Sequence, residues 1–404
     1  MHDTVRSHEP LSPPRGRVVL AHDWLCGVRG GEHVLDRLAR VISAHAEIVA
    51  LLVMFDDGRP LTPALDRLPR VVSGVGRVPL ASGRLRRWLL PVYPAIVDDL
   101  GERLAGIHYR TPIDLVVSTS SAAIKNLAAP PGVPHVCYVH TPPRYVWSQG
   151  AEYEREGGLR ALGLRLVRER YKEWDRAGTA HVTRMVANSA HTAALVRACY
   201  GVEARVIWPP VRTTMFAGGG GVRDGSWLVV SALEPYKRVD LAVRAANRAG
   251  KKLIVVGEGS EGKRLRAMAG PTVRFAGRVA DADLAGHFAA ASVLIFPQVE
   301  DFGIVAAEAL ASGLPVVARR AGGAMEIVEE GVTGAFFDQA TEESLLEAVA
   351  RCPRGVADTC RRAAERFSEA RFDREVLGLL RPYLPGQRDG PGRSDGPAES
   401  YLPS

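Results

Sequence analysis

Two successive trains of short, nearly wholly apolar segments, separated by stretches of helical period, leave this chain little choice of fold. The first train is RVVLA (17–21), EIVALLV (47–53), IDLVVST (113–119), HVCYVH (135–140) and RMVANS (184–189). The second is WLVVSA (227–232), KLIVVG (252–257), TVRFAG (272–277), SVLIFP (292–297) and LPVVAR (314–319). Segments this short and this apolar read as strands buried on both faces, as in a parallel sheet covered by helices on either side. Amphipathic stretches at 31–43 and 159–178 supply such helices. Two trains predict an α/β protein of two doubly wound, Rossmann-like domains facing across a cleft. A chain of 404 residues is long enough for each to hold its own core.

Between the trains lies PPVRTTMFAGGGGVRDGS (209–226). Its prolines stop the preceding strand, and four consecutive glycines make a flexible joint. The expected units are an N-terminal domain at 16–210, a hinge at 211–226 and a C-terminal domain at 227–364. A last helix at 365–383 is expected to pack back on the N-terminal domain. The Pro-, Gly- and Ser-rich tail at 384–404 and residues 1–15 read as disordered.

No apolar run reaches the roughly 18–20 residues that span a bilayer, and the N-terminus MHDTVRSHEPLSPPRGR has no apolar signal core, so a cytoplasmic location is expected. Five cysteines without CxxC spacing read as free thiols rather than disulfide or metal ligands. Residues 1–210 carry 27 basic against 20 acidic side chains, and the rest carries 25 of each. The basic half suits anionic partners such as phosphates or lipid headgroups. Within it, GRLRRWLLPVYPAIV (83–97) sets Arg84, Arg86 and Arg87 beside Trp88, Leu89 and Leu90. That is either a peripheral contact with an anionic membrane or a core helix with a basic flank.

In a doubly wound domain a ligand binds beyond the carboxyl ends of the strands. There the stretch PQVEDFGIVAAEALASG (297–313) holds Glu300 at the mouth of a helix and Glu308 inside it. A helix from about Gly303 to Ala311 leaves the amides of Phe302, Gly303 and Ile304 without internal partners, which makes an anion site suited to phosphate. Ionised carboxylates accept from sugar hydroxyls, so the two glutamates suit a sugar and a ribose diol. Lys237 and Arg238 in SALEPYKRVD are adjacent cations able to stabilise a departing diphosphate. Gly322 and Gly323 allow close backbone approach to a ligand. In the first domain, Gly30 and Gly31 lie between the first strand and its helix, where phosphate turns occur. His140 ends a strand facing the cleft, with Arg144 nearby.

Two motifs compete. VVGEGSEG matches GxGxxG, with Gly257 and Gly259 as candidate ligand-approach positions and Asp281 19 residues beyond Gly262. This is close to the dinucleotide fingerprint and would make an NAD-linked oxidoreductase. However, the glycines follow the second strand of their train, and Asp281 falls beyond a strand rather than at its end. DAD (281–283) looks like a metal-binding pair but reads better as a helix N-cap, so no metal is expected.

Glu300-x7-Glu308 within EDFGIVAAEALASGLPVVA, together with YKRVDLAVRA, VVGEGSEGKRL and GGAMEIVEEGVTGAFF, resembles the retaining, nucleotide-sugar-dependent glycosyltransferases of family 4, which have the GT-B fold. HDWLCGVRGGE, YVHTPPRYVW and ANSAHTAALVRACYGVEARVIWPPV look like their mannosyltransferase branch, acting on envelope or O-antigen-type polysaccharides. The resemblance covers about residues 17–383. It implies a nucleotide-sugar donor, GDP-mannose above others, held by the C-terminal domain, and a saccharide or lipid-linked acceptor on the N-terminal side. It places Glu300 on the donor sugar, Glu308 on the ribose, Lys237 on the diphosphate, His140 beside the sugar, and Gly30 and Gly31 near the phosphates. It implies no bound cofactor and no nucleic-acid partner. Ala232 stands where many members carry the arginine of a GRL, and Arg238 is the neighbouring cation that would replace it. A UDP-glucose-type donor and a non-catalytic nucleotide-sugar binder remain as alternatives.

Overall fold

The computed structural model describes residues 16–27, 30–77, 89–147, 159–217 and 223–385. Its first sheet has seven parallel strands: β1 Arg17–Leu25, β2 Glu47–Asp56, β3 Arg70–Val72, β4 Leu115–Ser120, β5 His135–Val139, β6 Arg184–Ala187 and β7 Arg205–Val206. They lie in the order β3-β2-β1-β4-β5-β6-β7. The second sheet has six: β8 Trp227–Val230, β9 Leu253–Val256, β10 Val273–Gly277, β11 Val293–Phe296, β12 Val316–Arg319 and β13 Gly334–Phe337. Their order is β10-β9-β8-β11-β12-β13, again all parallel. In both sheets the order reverses beside the first strand, between β1 and β4 and between β8 and β11. A crevice opens at such a switch point.

All ten expected strands form. Three others, β3, β7 and β13, are two to four residues long, and β13 begins on glycine. Gly334 opens β13 because a Cβ there would lie 2.0 Å from the carbonyl oxygen of Val316. The helices of seven or more residues are α1 Gly30–Ser43, α2 Tyr93–Arg110, α3 Leu159–Ala177, α4 Ala190–Tyr200, α5 Val239–Ala249, α6 Gly262–Met268, α7 Asp281–Ala290, α8 Ile304–Ala311, α9 Glu342–Arg351, α10 Ala357–Ala364 and α11 Glu369–Leu380. Each sheet has apolar clusters on both faces. Leu20, Leu35 and Val53 lie on one side of the first sheet, and Val19, Leu52 and Val116 on the other.

Helix α11 returns to the first sheet. Phe372, Val376 and Leu380 join the cluster of Leu35 and Leu38, and Arg37 of α1 donates to the Asp373 carboxylate at 2.7 Å. The strap between the sheets is pinned where the Val211 amide donates to the Phe367 carbonyl at 2.9 Å. Arg84, Arg86, Arg87 and Trp88 of the proposed membrane segment lie outside the described residues, as do the four glycines of the hinge. Leu89 and Leu90 pack against the core cluster of Tyr93 and Ile96. Among the described residues no helix is long and apolar enough to cross a membrane.

Candidate active site

A cavity of about 520 Å³ lies between the carboxyl edges of the two sheets, at both switch points. Its C-terminal wall is the loop from β11 to α8. Gly303 has φ of 104° and caps α8 with no side chain. The amides of Phe302, Gly303, Ile304 and Val305 find no acceptor among the described residues. These four donors and the positive end of the helix dipole are therefore available to an anion in the cavity. Glu300 and Lys237 both line the cavity and form an ion pair with each other.

Gly322 and Gly323 serve this loop rather than touching the cavity. A Cβ at Gly323 would lie 2.3 Å from the Phe302 carbonyl oxygen, and the Gly323 amide donates to the Glu300 carbonyl at 2.9 Å. Gly257 and Gly259 do not reach the cavity either. Gly257 has φ of 126°, and a Cβ there would lie 1.9 Å from the carbonyl oxygen of Ser231; a Cβ on Gly259 would lie 2.4 Å from that of Leu233. Both glycines let the chain pack against the backbone of the 231–233 turn, and neither is among the residues that line the cavity.

Arg238 departs from expectation in the same way. It takes φ of 52° at the start of α5, and its guanidinium turns to Asp240, 3.2 Å away. It is absent from the cavity lining, which instead includes Arg144 and Arg212 beside Lys237. Arg144 pairs with Asp301, and Arg212 reaches both Asp281 and Glu308, the latter at 3.4 Å. Asp281 is the first residue of α7 rather than its N-cap, and its carboxylate faces Arg212 instead of the helix amides. Among the described residues no cluster of three His, Cys, Asp or Glu side chains could hold a metal.

Glu308 is 6 % exposed, and burial pushes its carboxyl up to about 7 against the opposing pull of Arg212. The folded chain therefore holds this proton more tightly than the unfolded chain, where the value is 4.5. Between those two pH values the folded state binds more protons, so stability falls as pH rises through the window and levels off above it. Glu308→Gln is expected to flatten this part of the stability curve, read as urea midpoints across the window. A variant curve parallel to that of the wild type would contradict a buried, proton-retaining acid.

On the N-terminal wall, Gly30 and Gly31 are the first two residues of α1 rather than a turn before it. A Cβ on Gly30 would lie 3.2 Å from Ile304 Cδ1 across the cleft, and one on Gly31 3.6 Å from His140 Nε2. Glycine at position 30 eases the approach of α1 to Ile304 at the mouth of α8, whereas a Cβ at position 31 would make ordinary contact with His140. His140 follows β5, and its amide donates to the Ser120 carbonyl at 2.8 Å. Its Nε2 is shut off from solvent and has no hydrogen-bond partner among the described residues. Burial, helped by His22, lowers the ring to about 3, so it is neutral at ordinary pH.

Asp23 was not singled out in the sequence. Its carboxylate accepts from the amides of Ser121, Ala122, Ala123 and Ile124 at 2.5–2.9 Å and so shapes the loop beyond β4. An acid at the carboxyl end of β1, in HDW, was the available signal. Arg212 gave none, because only folding brings the strap over α8.

Residues 223–366 match the glycosyl transferases group 1 family, and residues 28–214 match glycosyltransferase family 4. The chain belongs to the family 4, group 1 glycosyltransferases and has the GT-B fold. The D-inositol 3-phosphate glycosyltransferase of Acidothermus cellulolyticus is 32% identical over 288 residues, 62% of this chain and 62% of that protein. A GDP-mannose-dependent alpha-mannosyltransferase of Corynebacterium glutamicum is 33% identical over 122 residues, 30% of this chain and 29% of that protein. The chain thus spans about three fifths of the length of the first relative and under a third of the second. Sucrose-phosphate synthase from Thermosynechococcus elongatus superposes with a TM-score of 0.69 at 18% identity, over 91% of this chain and 99% of that one.

Proposed function

We propose that this cleft transfers a hexose, mannose from GDP-mannose, to a saccharide or lipid-linked acceptor with retention of anomeric configuration. The observation that carries the proposal is the Glu300–Lys237 pair set beside four unpartnered amides at the mouth of α8. Departure of a nucleoside diphosphate leaves charge on the phosphate oxygens. Lys237 and the amides of 302–305 are fixed donors for that charge, and fixed donors cost little reorganisation as the bond breaks. Glu300 accepts from hydroxyls of the donor sugar and holds the Lys237 ammonium in place. Glu308, on the second turn of α8, accepts from the ribose hydroxyls when ionised, and Arg212 favours that state. Neutral His140 can accept from or donate to a sugar hydroxyl without adding a second cation. Ala232 leaves the slot for a second diphosphate cation empty, and Arg144 and Arg212 are the cavity cations available in its stead. The acceptor enters on the side of α1 and β5, and closure of the domains excludes water that would hydrolyse the donor.

Mannose is favoured over other hexoses because the sequence resembles the mannosyltransferase branch and because relatives from three bacterial genera are GDP-mannose-dependent mannosyltransferases. An oxidoreductase has no such support, since its glycine fingerprint packs away from the cavity. Thermal shifts with GDP, UDP, ADP and their sugar conjugates test the donor. GDP-mannose is expected to raise the melting temperature most. At 100 times the dissociation constant, a ligand that binds only the folded state adds about 2.7 kcal/mol. Equal or greater stabilisation by UDP-glucose would move the assignment to that donor.

A further inference from the structure

Ser189, with extended backbone, caps the N-terminus of helix α4, its side-chain oxygen accepting from the Thr192 amide at 2.9 Å. The next two amides are satisfied from the other domain. Ala190 and His191 donate to the Glu326 carboxylate at 2.9 and 3.1 Å. The indole of Trp208 donates to the same group at 2.8 Å. Glu326 belongs to a single helical turn, Ala324–Ile327, beyond β12. An acid over a helix N-terminus is favoured by both the free amides and the dipole. Here that contact crosses the cleft.

A second tie runs beside it. The Ser189 hydroxyl donates to the Asp301 carbonyl at 2.6 Å, and Arg144 pairs with the Asp301 carboxylate. Asp301 adjoins Glu300. The turn carrying Glu326 is bound to that loop through the Gly323 amide and the Glu300 carbonyl, and the Glu326 amide donates to the Gly323 carbonyl at 3.0 Å. On the N-terminal side, the start of α4 holds the strand end that carries His140. Asn188 donates to the His140 carbonyl at 3.0 Å, and the Thr192 hydroxyl does so at 3.4 Å.

We infer that Glu326 is a positioning residue that sets the register of Glu300 against His140 by clamping the C-terminal donor loop to the first turn of α4. It touches no reacting atom and lies outside the cavity lining. It acts through a continuous set of contacts that begins at the His140 carbonyl and ends at the backbone of Glu300. A carboxylate suits the task because it accepts several hydrogen bonds at once, while glutamine offers a single oxygen.

The test uses Glu326→Ala, Glu326→Gln and Ser189→Ala in the full chain, with two readouts. The kinetic readout rests on the transfer activity proposed above. Glu326→Ala is expected to lower kcat by about tenfold or more, since small misplacements of reacting groups cost up to about a hundredfold. Donor KM should change far less, and a larger share of donor should be lost to hydrolysis. Glu326→Gln and Ser189→Ala should fall between the wild type and Glu326→Ala. The second readout is independent of any donor. Spin labels on cysteines placed at the exposed positions Tyr109 and Val332, in a background lacking Cys26, report the distance between the domains. The distance distribution should broaden in Glu326→Ala. An unchanged distribution overturns the inference, as does a broadened one with wild-type kcat and wild-type hydrolysis. If the wild type turns over no donor, the proposed reaction fails, and the distance readout alone decides the clamp.

Discussion

Glu300→Ala is expected to lower transfer by roughly 10²–10³-fold, the size seen when one fixed group is removed from beside developing charge. The loss corresponds to about 2.7–4 kcal/mol of transition-state stabilisation. On the roles proposed for Glu300, two functions go at once. The donor sugar loses its carboxylate acceptor, and Lys237 loses the partner that holds its ammonium in the cavity. The fold should survive, because the bond that shapes this loop uses the Glu300 carbonyl rather than its side chain. Glu300→Gln separates the two functions. It keeps an oxygen for a hydroxyl but no charge for Lys237, so its activity should lie between the wild type and Glu300→Ala. Lys237→Ala should lose a similar factor and also bind nucleoside diphosphate more weakly. Initial rates with labelled donor, beside circular dichroism of each variant, decide the matter. Wild-type rates in folded Glu300→Ala would remove the central assignment.

The architecture was legible because burial on both faces leaves a plain signature. WLVVSA, SVLIFP and LPVVAR are apolar at nearly every position, and such runs settle on parallel strands whichever helices cover them. β7 and β13 lacked that signature, one being two residues long and the other opening on Gly334. The candidate site was legible where residues that line the cavity are local in sequence. Glu300, Gly303 and the amides after it lie on one strand-loop-helix passage, and spacing alone brings them together. Lys237 was readable too, since a cation just past the carboxyl end of β8 must lie near the switch point. Reasoning from neighbours failed where side-chain direction decides. Arg238 stands next to Lys237 in sequence, but its left-handed backbone turns its guanidinium towards Asp240. Gly257 and Gly259 fit a phosphate fingerprint, yet their missing side chains make room for the backbone of the 231–233 turn. Asp23 and Glu326 act across 98 or more residues of sequence, and Arg212 acts across 69 to Asp281 and 96 to Glu308. Contacts of that kind are fixed by packing and leave no local spacing to read.

Asp175→Ala is expected to destabilise the N-terminal domain by about 3–5 kcal/mol, the usual cost of stranding one partner of a buried ion pair. Asp175 and Lys125 are 0 and 1 % exposed, and their charged groups are 2.9 Å apart. The carboxylate also accepts from the Trp147 indole at 2.8 Å and the Tyr200 hydroxyl at 2.9 Å. Removing it strands the Lys125 ammonium and leaves three further donors, the Trp147 indole, the Tyr200 hydroxyl and the Asn126 side-chain amide, short of an acceptor. Lys125→Met is a milder change, because the remaining carboxylate keeps the indole and the hydroxyl as donors. With a urea m-value near the upper end of the usual range, roughly 3 kcal/mol/M because m grows with the surface exposed on unfolding, the midpoint should fall by about 1–2 M in Asp175→Ala and by clearly less in Lys125→Met. The consequence reaches the site. Trp147 ends the short helix that begins at Arg144, and Arg144 is the N-terminal partner of Asp301. Loss of the indole anchor should therefore lower activity even where the domain is still folded, and Trp147→Phe, which removes that hydrogen bond and part of the ring's packing on Tyr200, should reproduce part of the loss. If Lys125→Met proved as damaging as Asp175→Ala, the stabilisation would lie in the ammonium and its contact with the Tyr200 ring, 4.4 Å away, rather than in the carboxylate as a hub.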